Sequence, residues 1–219
     1  MKLLYTPNSP YARKVRIVAL EKHIDLTLQE VVLVDANCPV SNHNPLGKVP
    51  VLILDDNDSL YDSTVIVEYL DNLSDKSSDK LANNRATGAR LIAQDNSSKI
   101  NIRRWEALCD GICDAAIVAM LEGSRSLEQQ SRATIDRQLE KVTRALAVLN
   151  ADITKKKWCV NETFSLADIA LGCMLGYVDL RFKILPPNAQ PWQNTFPNLA
   201  KHYSVLIKRP SFKQTMPVL

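Results

Sequence analysis

The chain has 219 residues, of which 46% are hydrophobic and 23% are charged, and its net charge is +3. This apolar fraction excludes a mainly disordered chain, and a total of only 6 glycines disfavours glycine-rich linkers and glycine-turn-rich β-sandwiches. Lysines and arginines are spread along the chain beside acids rather than gathered in a basic stripe, so we expect no nucleic-acid partner.

The N-terminus and the cysteines predict a cytoplasmic protein. Lys2 and then Pro7 follow the initial methionine, and no long apolar segment comes after them, which is not the pattern of a signal peptide. No apolar run approaches the roughly 20 residues that span a bilayer, so we expect no membrane partner. The 5 cysteines are irregularly spaced, which indicates free thiols. No metal-ligand spacing joins them to the 3 histidines, so we expect no metal.

The first 75 residues predict a small α/β unit, because short apolar runs alternate with helical periodicity. In chain order the pattern predicts a strand at Lys2–Tyr5, a helix opened by Ser9-Pro10, a strand at Leu26–Val34, a mostly loop segment with a short helix at 35–47, strands at Val49–Leu54 and Ser59–Tyr61 around a turn at 55–58, and a helix at Thr64–Asp71.

Strand signals end after a polar stretch at 74–80, which predicts a linker. The remaining chain predicts helices only: a long one from Arg85 to about Leu121 with a bend near Gly111, one at 128–150 with an apolar stripe, a central buried one at 165–182, and one at 197–208. We therefore predict an α/β domain at 1–75, a linker at 76–84 and an all-α domain at 85–219.

Ser9 and Pro10 are typical of a helix start, with serine as N-cap and proline at the first helical position. The same geometry would also suit a catalytic role. A hydroxyl beside the unpaired N–H groups of a helix N-terminus can stabilise a thiolate or another anion. Arg13 and Arg16 would add positive potential one turn on. The residues alone leave both interpretations open.

Pro50 opens a predicted strand, where it cannot donate to a ladder. Val49 before it is then extended, and its free N–H and C=O could pair with an extended peptide, most directly if the Val49–Pro50 bond is cis. The alternative is the start of an edge strand. Asp62 and Ser63, where a strand meets a helix, are either an N-cap or a site for a zwitterion, with Ser63 holding a carboxylate and Asp62 an ammonium group.

Ser165 and Asp168 have the spacing of a capping box, and Phe164 and Ile169 that of a hydrophobic staple. This pattern indicates a folding signal for the buried helix rather than a catalytic pair. Likewise, cysteines 109 and 113 lie one helical turn apart, which favours core packing over metal binding.

Taken in this order, the four motifs resemble those of cytosolic glutathione S-transferases. Ser9-Pro10 is similar to the active-site Ser-Pro of the tau-like classes, Lys48-Val49-Pro50 to the segment ending in a cis-proline that reads the glutathione backbone, and Asp62-Ser63 to the pair that binds the γ-glutamyl end. Ser165 and Asp168 match the family's capping box. The run 104–112 resembles a bacterial theta/tau-like subgroup. No cysteine lies between Met1 and Asn37, which disfavours thiol–disulfide chemistry through an enzyme cysteine.

The resemblance implies a thioredoxin-like N-terminal domain followed by an all-α C-terminal domain, and a cytoplasmic homodimer that uses glutathione as co-substrate. It implies that Ser9 activates the glutathione thiol for attack on a small electrophile, with Tyr5, Thr6 and Asn8 as neighbouring alternatives. The candidate glutathione-binding residues are Lys48, Val49, Pro50, Asp62 and Ser63. The candidate walls of the second-substrate pocket are Tyr11, Arg104, Trp105 and Leu108. A glutathione-binding or regulatory protein with little conjugating activity is the alternative function.

Overall fold

The computed structural model describes residues 1–73, 88–182 and 191–217. The predicted linker at 76–84 lies outside the described residues. The chain forms two compact units, one comprising Met1–Ala93 together with Pro210–Val218 and the other Gln94–Arg209. The predicted domain limits stay a prediction. No helix in the described part of the chain combines the length and the apolarity that crossing a bilayer requires.

The first unit has the predicted order of strands and helices. Its elements are β1 (Lys2–Tyr5), α1 (Pro10–Glu21), β2 (Thr27–Glu30), α2 (Val40–His43), β3 (Val51–Ile53), β4 (Ser59–Leu60) and α3 (Ser63–Asn72). The strands form one sheet in the order β2-β1-β3-β4, in which β1 and β2 are parallel and the other pairs are antiparallel. The predicted α/β character of this part of the chain is confirmed.

Three strands, β2, β3 and β4, are shorter than the sequence predicts, and β4 ends at Leu60 rather than Tyr61. β2 ends at Glu30 rather than Val34, because its partner strand β1 ends at Tyr5, which pairs with Glu30. The chain then turns, and the Asp35 N–H donates to the Val32 carbonyl at 3.1 Å. β3 begins at Val51 rather than Val49, since proline at position 50 has no N–H to give to the ladder. The core side chains of β1 and β3 are fully buried between the sheet and its helices, as are those of α1 and α3.

The second unit is all helical in its described residues. Its elements are α4 (Asn96–Gly123), a short 3-10 helix (Leu127–Gln129), α5 (Arg132–Asp152), α6 (Leu166–Phe182), α7 (Trp192–Thr195) and α8 (Pro197–Leu206). The long helix was predicted to start at Arg85, but α4 starts at Asn96 because the Asp95 carboxylate caps it, accepting from the Ser98 N–H at 2.9 Å. α4 runs on past Gly111 as one helix.

α6 lies in the centre of the second unit, as its almost entirely apolar sequence predicts. Its residues from Leu166 to Val178 are all buried. One half of the predicted capping box is present, because Asp168 Oδ2 accepts from the Ser165 N–H at 3.0 Å, and the Ser165 hydroxyl donates to the same oxygen at 3.1 Å. A last helix, α9 (Pro210–Gln214), packs on α1 in the first unit.

Candidate active site

The strand register brings three loops of the first unit to one edge of the sheet. Leu4 pairs with Val51 in the antiparallel β1–β3 ladder, and Leu52 pairs with Leu60 in the β3–β4 ladder. The carboxyl ends of β1 and β4 therefore lie beside the amino end of β3. α1 and α3 begin directly after those two strands, so both helix N-termini point their positive dipole ends and unpaired N–H groups to this edge.

Ser9 is the N-cap of α1, as predicted. It has extended backbone angles, and its Oγ accepts a hydrogen bond from the Ala12 N–H at 3.2 Å. This bond occupies one lone pair of the hydroxyl and leaves its O–H free to donate to a ligand. The first turn of α1 contains no acid that would offset the helix dipole. Capping and anion binding are therefore compatible at this residue.

The segment before β3 leaves the backbone of Val49 outside the sheet. The Val49–Pro50 bond is cis, as predicted. Val49 lies outside the β1–β3 ladder, and no backbone hydrogen bond joins it to any other described residue. Sequence reasoning missed Asn44, which is 3% exposed and shapes this loop: its Nδ2 donates to the Lys48 carbonyl at 2.9 Å and its Oδ1 accepts from the Leu46 N–H at 3.0 Å.

Asp62 and Ser63 form the third loop. The Asp62 carboxylate caps α3, accepting from the Thr64 N–H at 2.9 Å, and remains exposed. Ser63 is buried, and within 1–73, 88–182 and 191–217 no residue hydrogen-bonds its hydroxyl. An exposed carboxylate and an unpartnered hydroxyl thus lie side by side at a helix N-terminus. The Tyr61–Asp62 bond is also cis.

The other candidates around Ser9 have different surroundings. The guanidinium of Arg16 lies over the Tyr5 ring, 4.8 Å from its centroid, so this ring already packs against a cation. Tyr11 is half-buried on the first turn of α1. The Thr6 carbonyl accepts a hydrogen bond from the Ser9 N–H at 3.2 Å, which fixes the turn between β1 and α1.

The remaining predicted pocket residues lie on α4 in the second unit. Arg104 is exposed and pairs with Asp152 at 3.3 Å. Trp105 is 2% exposed and is packed into the interior of its unit, whereas Leu108 is half-buried.

A cluster of polar side chains that sequence reasoning missed lies in the core of the second unit. Ligand atoms of Cys159, Asp168 and His202 all lie within 4.8 Å of one another. These are residue types that bind metals, but the Asp168 oxygens already accept from the Cys159 N–H, the Ser165 N–H and hydroxyl, and contact His202. Burial and the Asp168 carboxylate raise the pKa of the Cys159 thiol well above its usual range. We therefore interpret the cluster as a hydrogen-bonded part of the core rather than as a metal site.

Comparisons with known proteins show the family to which the chain belongs. The model of the glutathione S-transferase N-terminal domain matches residues 3–78, and that of the C-terminal domain matches residues 108–210. The uncharacterised GST-like protein YibF of Escherichia coli strain K12 is 34% identical over 220 residues, which cover 99% of this chain and 98% of YibF. The chain belongs to the glutathione S-transferase superfamily.

Two solved glutathione S-transferases extend the likeness to whole structures. One, from Methylobacillus flagellatus KT with GSH bound, is 55% identical with a TM-score of 0.89, and the match covers 99% of each chain. Another, from Methylobacterium radiotolerans JCM 2831 in complex with glutathione sulfonate, is 35% identical with a TM-score of 0.86 and covers 100% of this chain and 95% of the other. The protein has the glutathione transferase fold, a thioredoxin-like domain followed by an all-α domain.

Proposed function

We propose that the protein is a glutathione transferase that joins the glutathione thiolate to a small electrophile, with Ser9 as its catalytic residue. The observation that carries this proposal is the meeting of three features at one edge of the sheet: the Ser9 hydroxyl, the backbone of Val49 and the hydroxyl of Ser63, the last two without a hydrogen-bond partner among the described residues. A relative that is 55% identical over nearly its whole length holds GSH in its crystal structure.

Each feature suits one part of glutathione, which is a small extended peptide. Ser63 and the N–H groups that start α3 suit the γ-glutamyl carboxylate, and the exposed Asp62 suits its ammonium group. Val49, which lies outside the β1–β3 ladder, offers an N–H and a C=O to the peptide backbone. The exposed Lys48 amine lies next to this segment and suits a second carboxylate.

Ser9 acts on the sulfur. A free thiol has a pKa of about 8.5, so only a small part of bound glutathione would be thiolate at neutral pH. The Ser9 O–H can donate to the thiolate at the positive end of α1, where no first-turn acid opposes the charge. Lowering the pKa by about two units requires about 2.7 kcal/mol of preferential thiolate stabilisation. One charge-assisted hydrogen bond and a helix dipole supply energies of that order.

The reaction is then a single displacement or addition. The thiolate electron pair forms the new carbon–sulfur bond, and a displacement expels the leaving group with its bonding electrons. Tyr11, Arg104 and Leu108 remain our candidates for contacts with the second substrate, whereas Trp105 is withdrawn because its side chain is buried inside its unit. We also propose a cytoplasmic homodimer, as the family resemblance implies.

The decisive experiment measures binding and turnover separately. Isothermal titration calorimetry with glutathione tests the three-loop site, and a conjugation assay with an activated aryl halide tests the chemistry. Saturable binding with turnover supports the transferase. Binding without turnover on a panel of electrophiles would favour a glutathione-binding or regulatory protein, and the absence of binding would refute both.

A further inference from the structure

The Asn44 side chain closes the loop that precedes β3. It is 3% exposed, and its Nδ2 donates to the Lys48 carbonyl at 2.9 Å while its Oδ1 accepts from the Leu46 N–H at 3.0 Å. Its backbone takes part as well, because the Asn44 N–H donates to the Val40 carbonyl at 2.8 Å and the Asn44 carbonyl accepts from the Gly47 N–H at 2.9 Å. One buried residue therefore holds both ends of the loop.

The start of this loop is tied to the sheet. His43 is the last residue of α2, and its Nδ1 lies 2.9 Å from the hydroxyl oxygen of Ser59 on β4. Ser59 pairs with Ile53 in the β3–β4 ladder. Since Asn44 follows His43 directly in the chain, this hydrogen bond also fixes Asn44 relative to β3 and β4.

The Lys48 carbonyl that Asn44 holds belongs to the same peptide unit as the Val49 N–H. The Lys48–Val49 bond is trans, so its C=O and its N–H point in opposite directions within one plane. Because the carbonyl is directed at Asn44 Nδ2, the Val49 N–H points away from Asn44. No described residue accepts a hydrogen bond from that N–H. The Asn44 amide therefore fixes the direction of a donor that remains available to a ligand.

The same hydrogen bond also strengthens the donor, because a peptide unit that accepts a hydrogen bond on its C=O is polarised. Building on the proposed function, in which the Val49 backbone pairs with the glutathione backbone, we propose that Asn44 is a positioning residue for glutathione binding. It acts through the Lys48–Val49 peptide unit and needs no contact with the ligand itself. Its loss should therefore weaken glutathione binding and leave the chemical step unchanged.

The test uses Asn44→Asp, which keeps an oxygen for the Leu46 N–H but replaces the amide donor by a second oxygen facing the Lys48 carbonyl. Calorimetry should show glutathione binding weakened about 5–20-fold, because a buried hydrogen bond becomes a repulsive contact. In the conjugation assay, KM for glutathione should rise by a similar factor, while kcat at saturating glutathione changes less than about twofold. Asn44→Ala removes both side-chain bonds without adding a charge and should give the same separation of KM from kcat.

Asn42→Asp is the matched control. Asn42 lies on α2, is exposed, and its side chain makes no hydrogen bond with other described residues. This variant makes the same change of amide to carboxylate close by in the chain, so it reports the effect of the added charge alone. Its KM and kcat should stay within about twofold of the parent values, because exposed charges interact weakly.

The stoichiometry of binding distinguishes positioning from a merely structural role. If Asn44 only supports the fold, calorimetry of the variants will show fewer binding sites per chain with an unchanged Kd, and the positioning role is refuted. It is refuted as well if kcat falls as much as KM rises, or if both Asn44 variants bind glutathione as the parent does; the proposed function then stands. If the parent protein binds no glutathione, the proposed function fails, and this inference fails with it.

Discussion

His202 Nε2 lies 3.1 Å from Asp168 Oδ1 in the core of the second unit, where both side chains are buried. The same carboxylate accepts from the Cys159 N–H at 2.9 Å and from the Ser165 N–H at 3.0 Å. One side chain thus joins the start of α6 to the loop before it and to α8. The capping box is therefore part of a larger core network.

We predict that Asp168→Ala lowers the free energy of unfolding by about 3–5 kcal/mol, because several buried donors lose their acceptor at once. Urea denaturation followed by circular dichroism measures this change. Asp152→Ala is the control, since Asp152 makes a partly exposed ion pair with Arg104, and its loss should change the stability by less than about 1 kcal/mol. Equal effects of the two substitutions would contradict the network.

Hydrophobic periodicity and helix-capping residues in the sequence correctly predicted the helices whose ends depend on neighbouring residues. Ser9-Pro10 placed the start of α1, and the capping box placed α6, because a cap is decided by neighbouring residues. The end of β2 and the role of His202 were not predictable in this way. The first depends on where the neighbouring strand ends, and the second on a contact between residues 34 positions apart.

The same distinction between local and long-range features applies to the candidate site. Its motifs are short and contiguous, so the sequence revealed them, but the convergence of three loops follows only from the β1–β3–β4 register. The C-terminal contact with α1 was missed for the same reason, since Arg13 and Phe212 lie 199 positions apart.

Cys38 should be the reactive thiol of the native protein. It is half-buried, whereas the other four cysteines (Cys109, Cys113, Cys159 and Cys173) are buried, and the pKa of Cys159 is raised by burial. Since the thiolate is the nucleophile, a buried thiol with a raised pKa reacts slowly. A coloured disulfide reagent at pH 8 should label one thiol quickly and the rest only after unfolding. Rapid labelling that persists in Cys38→Ser would contradict this assignment.

Ser63→Ala should weaken glutathione binding by about 1–3 kcal/mol, because a charged carboxylate would lose a hydrogen-bond donor. Stability should change little, since no other described residue hydrogen-bonds this hydroxyl and the α3 cap is the Asp62 carboxylate. Calorimetry gives the affinity, and a thermal melt gives the stability. An unchanged glutathione affinity in a well-folded variant would remove Ser63 from the site.

The homodimer prediction has a direct test on α4. Ile100, Val118 and Leu121 are exposed apolar residues of this helix, and Gly111 lies exposed between them. A Cβ added at Gly111 would meet nothing within 4 Å, so the single chain tolerates a side chain there. We predict that the parent protein sediments at twice 24.5 kDa and that Gly111→Trp dissociates it.

Gly111→Ala provides the control for that experiment. It should raise helix stability by roughly 0.5–1 kcal/mol, because glycine is a poor helix former, and it adds only a methyl group to the exposed face. A dimeric Gly111→Trp protein would place the contact elsewhere. A parent protein that sediments as a single chain at micromolar concentration would refute the dimer itself.

Ser9→Ala should lower kcat/KM for conjugation by about 10–150-fold, because the lost donor is worth about 1.5–3 kcal/mol to a charged partner. Glutathione affinity should stay nearly intact, since the hydroxyl bond matters most to the thiolate. The pH–rate profile should move to higher pH. With the donor present the bound thiol has a lowered pKa, so activity is full at neutral pH and falls as the pH drops through that value.

Without the donor, the pKa of the bound thiol returns towards that of free glutathione, and the fall in activity begins at a higher pH. The cap bond to Ala12 is lost in the same variant, so a melting curve must accompany the kinetics. Ser9→Thr restores both the acceptor and the donor and should recover most of the rate. Full activity with an unshifted profile in Ser9→Ala would leave Ser9 as a helix cap alone and direct the search to Tyr5, Thr6 and Asn8.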